Sequence, residues 1–287
     1  MSVSTTAAPV AAWQGSAQLI FRRCDRNPGP SQTLPVATYA KAPLRLQKPL
    51  SGADGVCQSV LVHTAGGMVG GDQLQVAATL EPHSQALITT AAAAKIYRST
   101  GPIASLQVNL QLQENTCLEW FPQEAILFNG ARYHQNIRVD LAAGALWLGW
   151  DIMRFGRSAR GEQFQQGEMR SHIEIWQQGR PLWLDRQFLP GGSAVLTSPH
   201  GLAGHPVVAT LALVGRDPDP QLLEKARHLW DNSQPGDVGV TQLQSGFLCR
   251  YRGPSSQQAR RWFMAIWRQL RPTHLGHAAI PPRVWIR

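Results

Sequence analysis

Apolar and polar residues alternate without a break in the segment Leu106-Gln107-Val108-Asn109-Leu110-Gln111-Leu112. Successive side chains of a β-strand point to opposite faces, so this period of two predicts a strand over 103–112 with one buried and one solvated face. An amphipathic helix would need apolar residues at a period of 3.6, which this segment lacks. The segment therefore indicates a β-sheet that covers a core on one side.

Short runs of the same kind recur on both sides of this segment, separated by residues that favour turns. The predicted strands are 18–23, 58–63, 73–80, 86–90, 137–141, 145–150, 169–177 and 207–214. Gln178-Gly179 predicts a hairpin between 169–177 and 182–186. The residue letters show no internal repeat. Many strands and few helices predict a mainly β fold.

Two helices are predicted near the C-terminus. Asp219-Pro220 opens the first over 221–230, and Ser255-Ser256 caps the second over 257–271. Residues on one face of the second helix are apolar: Ala259, Trp262, Phe263, Ile266, Trp267 and Leu270. We expect Pro272 to stop this helix and four arginines to lie away from its apolar stripe: Arg260, Arg261, Arg268 and Arg271. The stripe suits docking on the sheet or, alternatively, a partner groove.

The chain has 287 residues, of which 43% are hydrophobic and 16% are charged. Such a chain can bury about three-quarters of its unfolded surface. We predict one β-rich domain over 1–287, with 1–14 flexible and the two helices forming a layer after the strands. The low charged fraction indicates either a permanent partner or coverage by loops rich in Gly and Pro.

The formal net charge of +9 raises the question of a nucleic-acid partner. The basic residues are 23 Arg and four Lys, and no run of five occurs. A basic balance without a binding motif is weak support for nucleic acid, so an acidic protein partner is the better interpretation. The apolar run Leu141–Trp150 is about half the ~20 residues of a membrane span. With no leader pattern over Met1–Trp13 and no C-x-x-C pair, we predict a cytoplasmic protein with reduced thiols and no membrane partner.

The glycine cluster Gly66-Gly67-Met68-Val69-Gly70-Gly71-Asp72 is the first candidate for chemistry. A phosphate-binding loop needs lysine where Asp72 stands, and a helix where 73–80 predicts a strand. The cluster therefore favours a tight turn between strands, in which glycines adopt positive φ.

Other catalytic patterns also fail. There is no G-x-S-x-G elbow and no H-E-x-x-H pair, and the histidine pairs His200/His205 and His274/His277 lack a third ligand. Four carboxylates leave three interpretations open: Glu119, Glu124, Asp151 and Glu162. They could form a glycosidase-like acid pair, belong to a functional polar surface or channel, or pair with arginines, of which the candidates are Arg98, Arg154, Arg157 and Arg160.

Five collinear stretches together resemble the UreD (UreH) family of urease accessory proteins: 66–72; Thr89-Thr90-Ala91-Ala92-Ala93-Ala94-Lys95-Ile96-Tyr97-Arg98-Ser99; Leu118-Glu119-Trp120-Phe121-Pro122-Gln123-Glu124; Trp150-Asp151 with Gly156-Arg157 and Gly161-Glu162; and Pro282-Arg283-Val284-Trp285. The chain departs from the family at Ala91–Ala94, where Pro and Gly are usual. The resemblance implies a long β-rich stack, β-helix-like or a flattened pair of sheets, with two helices. It also implies a non-catalytic scaffold that joins UreF, the GTPase UreG and the urease subunits.

The resemblance further implies that nickel(II) passes through a polar interior, with no tightly bound cofactor. Oxygen and amide groups suit such transfer, whereas clustered imidazoles or thiolates would trap the ion. The candidate wall or mouth residues are Asp72, Thr89, Thr90, Asp151, Glu162 and Glu174. The alternatives are a β-rich carbohydrate-active enzyme and a basic nucleic-acid-binding protein.

Overall fold

The computed structural model describes residues 12–25, 29–157, 160–217 and 219–285. This part of the chain is mainly β. In chain order the strands are β1 (Gln14–Cys24), β2 (Gln32–Lys41), β3 (Leu44–Leu46), β4 (Leu50–Ser51), β5 (Cys57–His63), β6 (Gln73–Leu80), β7 (Gln85–Thr90), β8 (Ala94–Ile96), β9 (Ala104–Leu112), β10 (Cys117–Phe121), β11 (Ala125–Leu127), β12 (Arg132–Leu141), β13 (Leu146–Phe155), β14 (Glu168–Gln177), β15 (Arg180–Pro190), β16 (Val207–Val214), β17 (Asp237–Leu243) and β18 (Gly246–Gly253).

The strands form two sheets that the chain visits in turn. The first sheet has the order β15-β14-β12-β9-β6-β1-β2, and the second has β17-β18-β16-β13-β10-β7-β5-β3 with β4, β8 and β11 attached. From β5 to β14 each coil adds a strand to each sheet, and neighbouring coils pair in parallel. Antiparallel strands close both ends. The fold is therefore a β-helix flattened into two stacked sheets, which confirms the predicted fold class.

The coils repeat in space although the residue letters do not. Cys57 pairs with Ala86, and Cys117 pairs with Leu146. One coil thus takes about 30 residues, a period typical of solenoids. Each coil needs only inward apolar residues and turns at its corners, so different residues satisfy the same geometry.

Alternation places the main core between the sheets. In β9, Val108, Leu110 and Leu112 are 0–2% exposed and pack in this core, while Asn109 and Gln111 face solvent. The predicted hairpin at 178–179 is confirmed, since β14 and β15 pair antiparallel around it. The predicted glycine turn is also confirmed: it joins β5 to β6, with φ of 75° at Gly66 and 95° at Gly71.

Two helices cover the outer face of the second sheet, α1 (Pro220–His228) and α2 (Ser256–Leu275). As predicted, Asp219 caps α1 by accepting from the Gln221 N–H, and Ser255 caps α2 by accepting from the Gln258 N–H. Their apolar faces share a second core with outward residues of the sheet, among them Leu87, Phe121, Leu148, Trp150 and Ile152. Within the described residues, neither helix combines the length and hydropathy needed to cross a membrane.

Two predictions about α2 were wrong. The helix continues through Pro272 to Leu275, and Gly276 ends it with φ 72° and an N–H bond to the Pro272 carbonyl. Arg271, predicted to lie away from the apolar stripe, is 1% exposed and belongs to the buried residues of the helix. Its guanidinium binds Glu119, Asp54 and the Ala278 carbonyl. These tertiary contacts hold the last turn in place despite the proline.

Several strands were not predicted, including β2, β17 and β18. The edge strands β2 and β17 are largely solvated, so their apolar alternation is weak. The predicted flexible segment 1–14 falls mostly on residues 1–11, outside the described residues.

Candidate functional site

A cavity of about 370 Å³ lies between the two sheets. It forms where the second sheet is interrupted: Ala91-Ala92-Ala93 separates β7 from β8, and Pro122-Gln123-Glu124 separates β10 from β11. The neighbouring β13 runs unbroken past both interruptions and pairs with β10 and then β11. Residues 91–93, Pro122 and Gln123 of these interruptions themselves line the cavity. Most of the wall is apolar, including Leu61, Met68, Leu74, Val76, Leu106 and Ile137.

Polar groups project into this apolar cavity. Gln135 of β12 donates from Nε2 to Asp151 Oδ2 of β13 at 3.2 Å, and to Ser171 Oγ at 3.2 Å. Tyr133 donates its hydroxyl to Gln135 Oε1 at 3.2 Å. The bond from Gln135 holds Asp151, which lines the cavity, against the first sheet.

Two further polar atoms on the cavity wall lack a protein partner in the described structure, Trp120 Nε1 and His63 Nε2. Buried polar atoms are normally hydrogen-bonded, so these two indicate that the cavity takes polar contents. Burial lowers the pKa of His63, against the opposing charge of Asp72. His63 is therefore neutral at pH 7, the form in which imidazole binds metal ions.

Asp151 is the carboxylate of this cavity. Its pKa is raised to about 6, chiefly by burial; the hydrogen bond from Gln135 opposes the rise, and the charge of Asp185 adds to it. At pH 7 the group is mostly ionised yet poorly solvated. A cation in the cavity would be attracted to it.

Polar residues continue from the cavity in two facing rows, which we call the polar rows. On the first sheet Gln135, Ser171 and Gln187 are cross-strand neighbours. On the second sheet the neighbours are Asp151, Thr210 and Arg250. Within the described inter-sheet core, which is otherwise largely apolar, these rows form a line of polar groups across the strands towards β15 and β18.

The polar rows end at an ion pair between the sheets. Arg250 Nη2 donates to Asp185 Oδ1 at 2.9 Å, and Gln187 Nε2 donates to Asp185 Oδ2 at 2.8 Å. The Asp185 side chain is 9% exposed, whereas that of Arg250 is 43% exposed. Arg250 therefore lies between the buried polar rows and solvent.

The structure brings two of the six predicted conduit residues, Asp151 and Thr90, to the cavity wall. Thr90 Oγ1 donates to the Ala92 carbonyl at 3.2 Å and accepts from the Gln123 N–H at 2.9 Å. It thus connects the two interruptions of the second sheet.

The other four predicted residues lie elsewhere and have protein partners. Thr89 is on the opposite face of the sheet, bonded to the Phe121 carbonyl and to Trp285 Nε1. Asp72 is buried in the glycine turn, where it accepts from the Trp13 and Val69 N–H groups.

Glu162 forms a two-bond ion pair with Arg157, one of its predicted partners. Glu174 lies on the outer face of the first sheet and binds Arg186. Hydrogen bonds to these arginines hold the pKa of both glutamates below the usual value.

The remaining acids do not assemble into a pair. Glu119 points away from the cavity and binds Arg271 and Trp267 Nε1 beneath α2, while Glu124 pairs with Arg260. Glu119 and Asp151 therefore face opposite sides of the second sheet, which does not fit a glycosidase-like site. In the described portion of the chain, no three His, Cys, Asp or Glu side chains are grouped so that they could hold a metal ion.

The sequence is similar to known proteins over nearly its whole length. The family model described as UreD urease accessory protein matches residues 14–286. The urease accessory protein UreD of Acaryochloris marina is 51% identical over 277 residues, which cover 96% of each chain. That of a Nostoc species is 51% identical over 284 residues, 99% of each chain. That of Pseudomonas fluorescens is 40% identical over 284 residues, 98% of each chain.

Proposed function

Because this chain belongs to the UreD family of urease accessory proteins, we propose that it is a non-catalytic scaffold that guides nickel(II) through its interior towards apo-urease. A role in urease maturation follows from the family. The observation that carries the finer proposal is the cavity with its polar rows, which offers oxygen and amide groups along a path between the sheets.

The chemistry of this path suits transfer. Carboxylate, hydroxyl and amide oxygens can replace part of the hydration shell of a divalent cation, and no cluster of imidazoles or thiolates in the described path would retain nickel. The cavity volume exceeds the ~30 Å³ of one water many times, so an ion could keep part of its hydration. Asp151 supplies the attraction, and the neutral His63 adds a nitrogen ligand near the glycine turn.

We further propose that the chain works in a complex with UreF and the GTPase UreG. The glycine cluster is a turn whose Asp72 carboxylate already accepts backbone N–H groups, so nucleotide hydrolysis is assigned to a partner. Exposed apolar side chains suit docking, among them Trp13, Tyr39, Leu184 and Phe188. The four cysteines are free thiols, which is consistent with action in the cytoplasm.

The test is to replace Asp151 by Asn and measure nickel per urease active site after co-expression with the urease and accessory genes. The change keeps the size of the side chain and removes the charge. We expect nickel loading to fall about tenfold, as when a metal site loses one supporting contact. Assembly of the accessory complex, measured by co-purification, should be unchanged.

The matched control is Asp140→Asn. Asp140 lies on the outer face of β12, half exposed and paired with Arg138. It should leave nickel loading intact. Full loading by the Asp151→Asn protein within an intact complex would contradict the route through this cavity.

A further inference from the structure

The end of the polar rows differs from the other buried ion pairs of the protein. Arg271 is wholly buried and its guanidinium is held by Glu119, Asp54 and the Ala278 carbonyl. Among the described residues Arg250 forms one ion pair, to Asp185, and nearly half of its side chain is in solvent. The first arrangement is a fixed structural anchor. The second can swing outward without leaving a buried cation.

We propose that Arg250 is a gate: paired with Asp185 it closes the far end of the polar rows, and turned outward it opens them. This inference rests on the proposed function, because a gate has a purpose only if a cation travels the rows. It adds the residue that controls the exit and the chemistry that releases it.

The closed state follows from charge and from occupied ligands. The guanidinium repels a divalent cation that approaches along the rows. It also donates to Asp185 Oδ1, while Gln187 donates to Oδ2, so both oxygens already have donors that a cation would have to displace or share. Thr210, the inward neighbour of Arg250 in the row, is 4% exposed and offers a hydroxyl but no charge.

Opening requires a group that competes with Asp185 for Arg250. A carboxylate is the natural competitor, since arginine binds carboxylates through charge-assisted bonds. The partner surface that docks at β15 and β18 should therefore present an acidic side chain. Arg252, two residues further along β18, does not share this freedom because it binds Asp237 and the carbonyls of Pro199 and Gly201.

The test probes access to the middle of the rows with a cysteine. Ser171 is 1% exposed and close in size to cysteine, so Ser171→Cys places a thiol there with little disturbance. The full chain would carry Cys24→Ser, because the other cysteines are 0–6% exposed. The rate of thiol modification is measured with a cationic aminoethyl and an anionic sulfonatoethyl methanethiosulfonate. The parent without Ser171→Cys gives the background.

We expect slow modification while Arg250 is present. Arg250→Gln should raise the rate with the cationic reagent about tenfold, the effect of losing one charged hydrogen bond on an opening equilibrium. The rate with the anionic reagent should rise less, because the negative charges of Asp185 and Asp151 then repel it without a neighbouring arginine. Asp185→Asn breaks the same ion pair and should also raise the rate, with weaker preference for the cation. Thermal unfolding of each variant checks that the fold is kept.

The matched control is Arg186→Gln, which removes the neighbouring arginine on the outer face of β15. It should leave the rate unchanged. Fast modification with Arg250 in place, or equal rates in folded Arg250→Gln and control proteins, would overturn the gate. The two proposals can fail separately. Normal nickel loading of urease with the Asp151→Asn protein refutes the route. Slow modification of the Ser171→Cys thiol in the Arg250→Gln protein refutes only the gate.

Discussion

The position and the pKa of the Asp151 carboxyl group depend on residues that are distant in sequence. Gln135 bonds it from the facing sheet, and Asp185 acts on its charge from β15. The sequence could nominate Asp151 because charged residues are scarce and this one follows a run of apolar residues. It could not identify Gln135, Ser171 or Arg250, because their strands carry other polar residues as well, such as Asn136, His172 and Arg252. Only strand pairing places them in rows.

The raised pKa of Asp151 makes a prediction about stability. Its folded pKa of about 6 lies above the ordinary 3.8, so the folded protein binds this proton more tightly than the unfolded chain. The stabilisation is present below pH 4 and is lost as pH rises through 6, by up to about 3 kcal/mol. Asp151→Asn should remove this pH-dependent loss, so the variant should be more stable than the parent at pH 7.

Urea unfolding of both proteins at pH 4 and pH 7 measures this difference. The expected result is that the free energy of unfolding of the variant exceeds that of the parent by more at pH 7 than at pH 4. Equal stability of the two proteins at pH 7 would show that water within the cavity solvates the carboxylate fully.

Arg271 carries a second prediction at this scale. Arg271→Met would leave Glu119 buried without its cation, which typically costs about 3–5 kcal/mol. We expect a clear fall in the midpoint of urea unfolding. Arg268→Met, on the exposed side of the same helix, should change it little.

Adding Glu119→Gln to Arg271→Met should recover part of the lost stability, because the uncompensated charge is then gone. No recovery in the double variant would mean that Arg271 acts through packing or through Asp54 instead. The sequence prediction placed Arg271 away from the apolar stripe, although it lies one turn after the buried Trp267. Its partner Glu119 is 152 positions away.

At the scale of elements, the period of two was a reliable guide where one face of a strand is buried. The predicted strands 73–80 and 207–214 coincide with β6 and β16. The signal failed at the sheet edges. β2 contains Pro35 and is mostly exposed, so nothing in its pattern distinguishes it from a loop.

Helix α2 provides a test of local structure. Ser255 Oγ accepts from the Gln258 N–H at 3.3 Å and so satisfies one of the free donors of the first turn. Ser255→Ala should cost about 1 kcal/mol of stability. Ser256→Ala, the next residue and already inside the helix, is the control and should be close to neutral. A loss of equal size at both positions, measured by urea unfolding, would argue against a capping role for Ser255.

At the scale of the whole molecule, the sequence predicted the class of fold but not its winding. A β-helix and a flattened pair of sheets were the two predicted arrangements of the strands. The structure combines them, because its coils are flattened into two stacked sheets. The coils could not be counted in advance because paired residues lie about 30 positions apart in unlike surroundings. The cavity was hidden for a related reason, since it forms where 91–93 and 122–124, each a break in its own strand, come side by side.

The polar rows cross the strands instead of following them, and this sets a scale for distance inside the protein. Neighbouring strands are about 4.8 Å apart, so the two steps from Asp151 to Arg250 span roughly 10 Å. The length of such a route can therefore change only in steps of one strand spacing. A relative that had to reach further would need one more strand in each sheet, which adds about 4.8 Å for each extra coil.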